Sequence, residues 1–217
     1  KYGAMVVQNT TDDGYEILSG QGTAGQVLTS NGADALPSFT TAGTRVLLQT
    51  QTASASALIA FSATYLTTTH KQYIFEMINV IPATDGASME LFVSEDDGST
   101  YKTTSGYNVS AVSTISGSTT VTGQNFAADN NMTICNGIGS ATGEGMSGNV
   151  TVYDPLGTAV WKQFEINTVI QASAAGETTN FRGMGTYILT VNAVNNIKFA
   201  QSTGNIASGV FKLYGVL

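Results

Sequence analysis

The chain has 217 residues, of which 11% are charged, and a formal net charge of -7. That length fits one domain with at most an appendage, and a total of 8 Lys and Arg is too few for the clustered basic surface that binds nucleic acid or an anionic membrane. The single cysteine, Cys135, excludes an intrachain disulfide and a Cys-rich zinc centre, and reads as a small buried apolar residue.

Residues 1–19, KYGAMVVQNTTDDGYEILS, are too few to bury a core. They contain one short strand, AMVVQN, then a TDDG turn and YEIL, and are expected to be ordered against a partner as an extended N-terminal anchor. The Asp pair of TDDG is read as a turn, not a metal loop. Residues 20–44 form a connector in which Gly20, Gly22, Gly25 and Gly32 permit positive φ, SNG signals a turn and Pro37 stiffens the exit. Its GQGTAG lacks the Lys-Ser/Thr and the helix of a phosphate-cradling loop.

From Arg45 onward the apolar period is two, which is the signature of strands. RVLLQTQ and ALIAFSA open this region. KQYIFEMINV follows, with Tyr73, Phe75, Met77 and Asn79 expected on one face and Ile74, Ile78 and Val80 on the other. Two partly apolar faces suit a strand inside a two-layer sandwich or under a neighbouring subunit. EDDGSTY, Glu95–Tyr101, predicts a hairpin tip after SMELFVSE. Residues 123–148 read as a long Gly- and Asn-rich loop around one short strand, NMTIC. SGNVTVYD, AVWKQFEINTVI, FRGMGTYILT, NNIKFAQ and SGVFKLYGV complete a set of ten or eleven strands. No helix of three turns is visible, and ALIAF is far short of the ~20 apolar residues of a membrane helix. The pattern predicts an all-β head, residues 45–217, built as an antiparallel β-sandwich of jelly-roll type, with an up-and-down barrel as the alternative.

Catalytic constellations are hard to assemble from these residues. His70 is the only histidine and lies at a predicted strand start, so any Ser-His-Asp triad would run through a turn residue, and no His pair offers zinc. The carboxylates fall mainly in turns or at polar positions of alternating strands, among them the adjacent Asp96 and Asp97, which are weak calcium candidates. Sugar binding needs less: an exposed aromatic ring stacks on the apolar face of a saccharide beside Asn, Gln and Asp. Tyr101, Tyr107 and Trp161 are the candidate glycan-binding residues. No cofactor is expected.

The connector GTAGQVLTSNGADALPSF resembles a segment of tailed-bacteriophage virion appendage proteins, in which such a run precedes the distal domain. YIFEMINVIPATDGASMELFVSEDDGSTY, ATGEGMSGNVTVYDP and TGNIASGVFKLYGV are similar to pieces of the sandwich that follows it. The resemblance implies a homotrimeric or otherwise multivalent appendage of the virion, its N-terminal segment facing the particle and its sandwich exposed; together with the candidate aromatic residues it predicts a non-enzymatic fibre, joined to other virion proteins through residues 1–40, whose sandwich contacts a host-surface glycan. The alternatives are a capsid or tail decoration protein and a glycan-degrading tailspike. The family supplies no catalytic motif to carry over. Oligomerisation also has a physical reason, because Met5, Val6, Val7, Ile17 and Leu18 need a surface to cover them, and multivalent display strengthens weak sites.

Overall fold

The computed structural model describes residues 6–8, 15–17, 23, 26–31, 36–41, 45–173 and 176–216, and its contacts divide the chain into two units between Val46 and Leu47. In the first unit, β1 (Val6–Gln8) pairs antiparallel with β2 (Tyr15–Ile17), and β3 (Gln26–Thr29) with β4 (Ser38–Thr41). The expected connector is therefore in large part a hairpin, in which Leu28 faces Phe39. Asn31 closes its loop by donating from Nδ2 to the Leu36 carbonyl at 2.7 Å and to Ser38 Oγ at 3.1 Å, a side-chain mimic of a backbone turn. The TDDG turn, and Gly20, Gly22, Gly25 and Gly32 of the connector, lie outside the described residues.

The second unit is all-β, with no helix among the described residues. Its strands are β5 (Arg45–Ser56), β6 (Ile59–Phe61), β7 (Gln72–Pro82), β8 (Ala87–Ser94), β9 (Tyr107–Ile115), β10 (Val121–Asp129), β11 (Met132–Ile138), β12 (Gly145–Tyr153), β13 (Lys162–Gln171), β14 (Thr178–Tyr187), β15 (Asn196–Gln201) and β16 (Ile206–Val216). Eight form a sheet in the order β10-β9-β14-β13-β12-β7-β16-β5, and four form a second sheet, β11-β8-β15-β6. The printed registers are all antiparallel, and the sheets pack face to face like a sandwich.

Period-two alternation makes the core. Along β13, Lys162, Phe164, Ile166, Thr168 and Ile170 are buried while Gln163, Glu165 and Val169 are exposed, as a strand with one covered face requires. Phe61, Phe75 and Phe199 meet with ring centroids 5.2–6.4 Å apart, and Phe211 joins Phe199 at 5.8 Å. Hydrogen bonds also tie the layers: Thr168 Oγ1 donates to the Ile134 carbonyl at 3.0 Å. Cys135 is wholly buried, its thiol pushed up to about 12 by desolvation and lying 3.4 Å from Met146 Sδ.

Three expectations change. Asn79 is exposed and Val80 is fully buried, because Asn79 takes φ 50° as a β-bulge that shifts the β12–β7 register between Met146 and Gly148; one extra residue flips every later side chain to the other face. Residues 95–106 are no hairpin. The Lys102 N–H returns to the Val93 carbonyl at 2.9 Å, but the chain then crosses from the four-stranded sheet to β9 in the eight-stranded one. Finally, most of 123–148 is strand. Within it, β10 is the exposed edge of the large sheet, where few apolar residues are needed.

From β5 to β16 each strand runs opposite to the one before it in the chain, so the connections sort into two ends. The Asn205 amide, just before β16, bonds the Ala55 carbonyl near the end of β5 at 2.9 Å, which puts the start of β5 with the end of β16. The chain thus enters the sandwich at the end that carries residues 62–71, 95–106, 154–161 and 188–195. The far end carries 83–86, 139–144 and 202–205.

Candidate binding site

Of the predicted aromatic residues, the structure exposes Trp161, half-buries Tyr101 and buries Tyr107. Tyr107 opens β9 on its core-facing side and is 0% exposed. Its hydroxyl donates to the Lys102 carbonyl and accepts from the Val93 N–H, both at 3.0 Å, and burial pushes its pKa up. It is a strut between the sheets and offers no ring face to a sugar. Trp161 is 53% exposed beside Val160 in the turn before β13, in the middle of the large sheet. That position is not shared with Tyr101, which lies over the four-stranded sheet.

Tyr101 is half-buried, and its surroundings are built by the alternation of β8 and β15. Phe92, Glu90 and Lys198 all point away from the core, and Lys198 pairs with Phe92 across the two strands. The Lys198 ammonium lies 4.3 Å from the Tyr101 ring centroid and 4.6 Å from that of Phe92, so one cation bridges two rings. Tyr101 is held from its other end too. Its hydroxyl donates to Asn196 Oδ1 at 2.9 Å, and Asn196 Nδ2 reaches Asp97 Oδ1 at 3.3 Å. Gly98 makes room for this: it has φ 85°, and a Cβ there would sit 3.0 Å from the Tyr101 hydroxyl and from Asn196 Nδ2.

The charges of this face are partly desolvated. Burial, then Asp129, raises the Glu90 pKa above 4.5, with Lys198 pulling the other way. Burial lowers that of Lys198, offset in part by Glu90. Burial, then Asp97 and Asp96, raises that of Tyr101. Two aromatic rings, an ammonium donor and a carboxylate acceptor on one rigid sheet face can stack on a sugar ring and bond its hydroxyls. Phe92 and Lys198 were legible only as outward positions of two strands; their pairing is a matter of register.

The acidic pair is engaged by its own chain. Asp96 Oδ1 accepts from Ser94 Oγ at 2.6 Å and from the Thr100 N–H at 2.9 Å, and Oδ2 accepts from Thr100 Oγ1 at 2.5 Å; these bonds hold its pKa down to about 2. Asp97 Oδ1 accepts the Ala63 N–H at 2.8 Å. No group of three or more His, Cys, Asp or Glu among the described residues is placed to hold a metal ion. His70 is 8% exposed, with no partner at Nδ1 and its ring edge-on to Tyr73 at 5.7 Å, so no nucleophile is joined to it.

Comparison with protein-family models, with curated proteins and with solved structures yields no match. No helix among the described residues is long and apolar enough to cross a membrane.

Proposed function

We propose that the chain is a non-enzymatic structural protein of a bacteriophage virion, a fibre-like homotrimeric appendage whose sandwich attaches to a host-surface glycan. The virion half of this reading is supported by the resemblance of GTAGQVLTSNGADALPSF to phage appendage connectors. The attachment half is carried by one observation, the pair of rings Tyr101 and Phe92 fixed on either side of Lys198 with Glu90 beside them. Assembly into a trimer is supported by the size of the first unit: two-stranded hairpins are marginal alone, and Val27, Leu28 and Leu36 are exposed there. The jelly-roll wrap stays part of the proposal. The passage of the chain between sheets at β8–β9 and β10–β11 favours it, and the eight-to-four division of strands counts against it.

The test is adsorption of the purified full chain to host cells. A Tyr101→Ala, Phe92→Ala double substitution is expected to reduce it about tenfold, the equivalent of ~1.4 kcal/mol, at unchanged melting temperature. Unchanged adsorption sinks the attachment reading, and release of reducing sugar from host polysaccharide sinks the non-enzymatic one. A second reading, a decoration protein packed on capsid or tail, is favoured by the outer face of the large sheet, where Met184, Val169 and Val112 are exposed, with Glu165 across from Met184 and Arg182 across from Val112. Antibody-labelled images of the particle separate the two by position.

A further inference from the structure

The irregularities of the large sheet converge on one place. β12, β7 and β16 are neighbours, and at a single level near the far end each departs from the regular ladder. In β7 the departure is the Asn79 bulge, whose N–H donates to Ser147 Oγ at 2.9 Å. In β12 it is Gly145, at φ 133°, where a Cβ would stand 2.9 Å from the Val80 carbonyl oxygen, and Gly148, where one would strike Asn167 O. In β16 it is Gly209, at φ 139°, with register breaks on either side of Ser208. Bulges and strained non-glycine backbone carry a local cost and gather where a surface must be shaped.

The departures in β7 and β12 border an open recess of about 460 Å³, within the range of small-molecule sites. Ile81 and Val169, which face away from the core, give it an aliphatic floor, and Asn79, Ser147, Gln171 and Glu144 give it polar walls. Glu144 is set in place by its own turn: Oε2 accepts the Ala141 N–H at 2.8 Å, and the Glu144 N–H returns to the Ala141 carbonyl at 3.0 Å. Among the described residues no donor reaches its Oε1 and no cation pairs with it. Gln171 spends Oε1 on Thr178 Oγ1 at 2.9 Å and keeps its amide hydrogens. The Ser147 hydroxyl, already an acceptor, keeps its proton to donate.

A fixed, unpaired carboxylate disfavours an anionic ligand, and one carboxylate is too few for calcium, which takes six to eight oxygens. A compact neutral molecule with several hydroxyl donors and one apolar face matches both the walls and the floor. We propose that the far-end recess is a saccharide subsite that takes one neutral pyranose unit, its hydroxyls on Glu144, Ser147 and Gln171 and its C–H face on Ile81 and Val169. This rests on the glycan-attachment reading and adds a second contact point, separate from the Tyr101 face.

The experiment is methyl-labelled NMR of the full chain titrated with glucose, galactose and N-acetylglucosamine to tens of millimolar, alongside Val169→Trp, which fills the recess, and Glu144→Gln. At least one of the three sugars is expected to shift the Ile81 and Val169 methyl signals, and each variant to weaken that titration about tenfold or more, with melting curves reporting that both still fold. If no sugar shifts these methyls, or if Val169→Trp leaves the Ile81 titration unchanged, the inference is overturned. Shifts confined to signals near Phe92 and Tyr101, or host adsorption that survives both recess variants and falls with the Tyr101 and Phe92 substitutions, would overturn the recess while leaving the attachment reading intact. Loss of neither titration nor adsorption under any of these substitutions would overturn both.

Discussion

The two ends of the sandwich use their polar groups in opposite ways. At the entry end they are consumed by the chain itself. Lys162 is 1% exposed at a core position of β13, and its ammonium donates to the Gly157, Val160 and Val191 carbonyls at 2.5, 3.2 and 3.0 Å, one bond for each proton. Glu95 accepts from Tyr187, Thr190 and Asn192 and pairs with Lys102 at 3.1 Å. At the far end, Glu144, Gln171 and Asn79 keep bonding capacity that no neighbour uses. A saturated cluster straps loops together; an unsaturated one has something left for a ligand.

Substitutions can break this contrast, beginning with the largest effect. Lys162→Met should cost about 3 kcal/mol, because three carbonyls lose their donor in a buried site; urea unfolding measures it, and a loss under 1 kcal/mol would show that water replaces the ammonium freely. Glu95→Gln should cost about 2 kcal/mol by weakening several bonds to a charged acceptor whose side chain is 14% exposed. Burial alone would raise the Glu95 pKa, but hydrogen bonds from Thr190, Tyr187, Lys102 and Asn192 outweigh it and bring it below 4.5. A folded value below the unfolded one gives stability that is present above pH 4.5 and is lost as pH falls through the folded value. The variant should therefore flatten the acid limb of the stability curve.

Smaller effects sharpen the comparison. Glu90 has the opposite sign: its folded pKa is raised, so its charge costs stability at neutral pH and the cost disappears on acidification. Glu90→Gln should stabilise the protein at pH 7 by a few tenths of a kcal/mol after solvent screening, with no gain in acid, as thermal melts at two pH values would report. Glu144→Gln should change stability by less than about 0.5 kcal/mol. A clear destabilisation there would mean that the far end is also strapped by its own carboxylate.

Period-two apolar runs, the absence of a helical period and the Gly, Asn and Asp turns determined by themselves that this chain is an antiparallel all-β sandwich preceded by a short segment, because alternation is a local property of each strand. The same alternation put Tyr73, Phe75 and Met77 on one face of β7, which is the buried one, and Cys135, expected to be buried as a lone small apolar residue, is buried too. Tertiary structure decided what local pattern does not encode. A single bulge at Asn79 moved Val80 to the inside, and a turn that looked like a hairpin tip became a crossing between sheets. Tyr101 and Tyr107 are six residues apart in similar company, yet one is half-exposed on a cation and the other is a buried strut, because Tyr101 lies in the connection over the four-stranded sheet and Tyr107 opens β9 on its core side. The partners of Tyr101, Phe92 and Lys198, come from strands β8 and β15, far apart in the chain, and only their register brings them to one face. The far-end recess was equally illegible, since its lining comes from β7, β12 with the turn before it, and β13, and only their register brings Asn79, Glu144 and Val169 to one place.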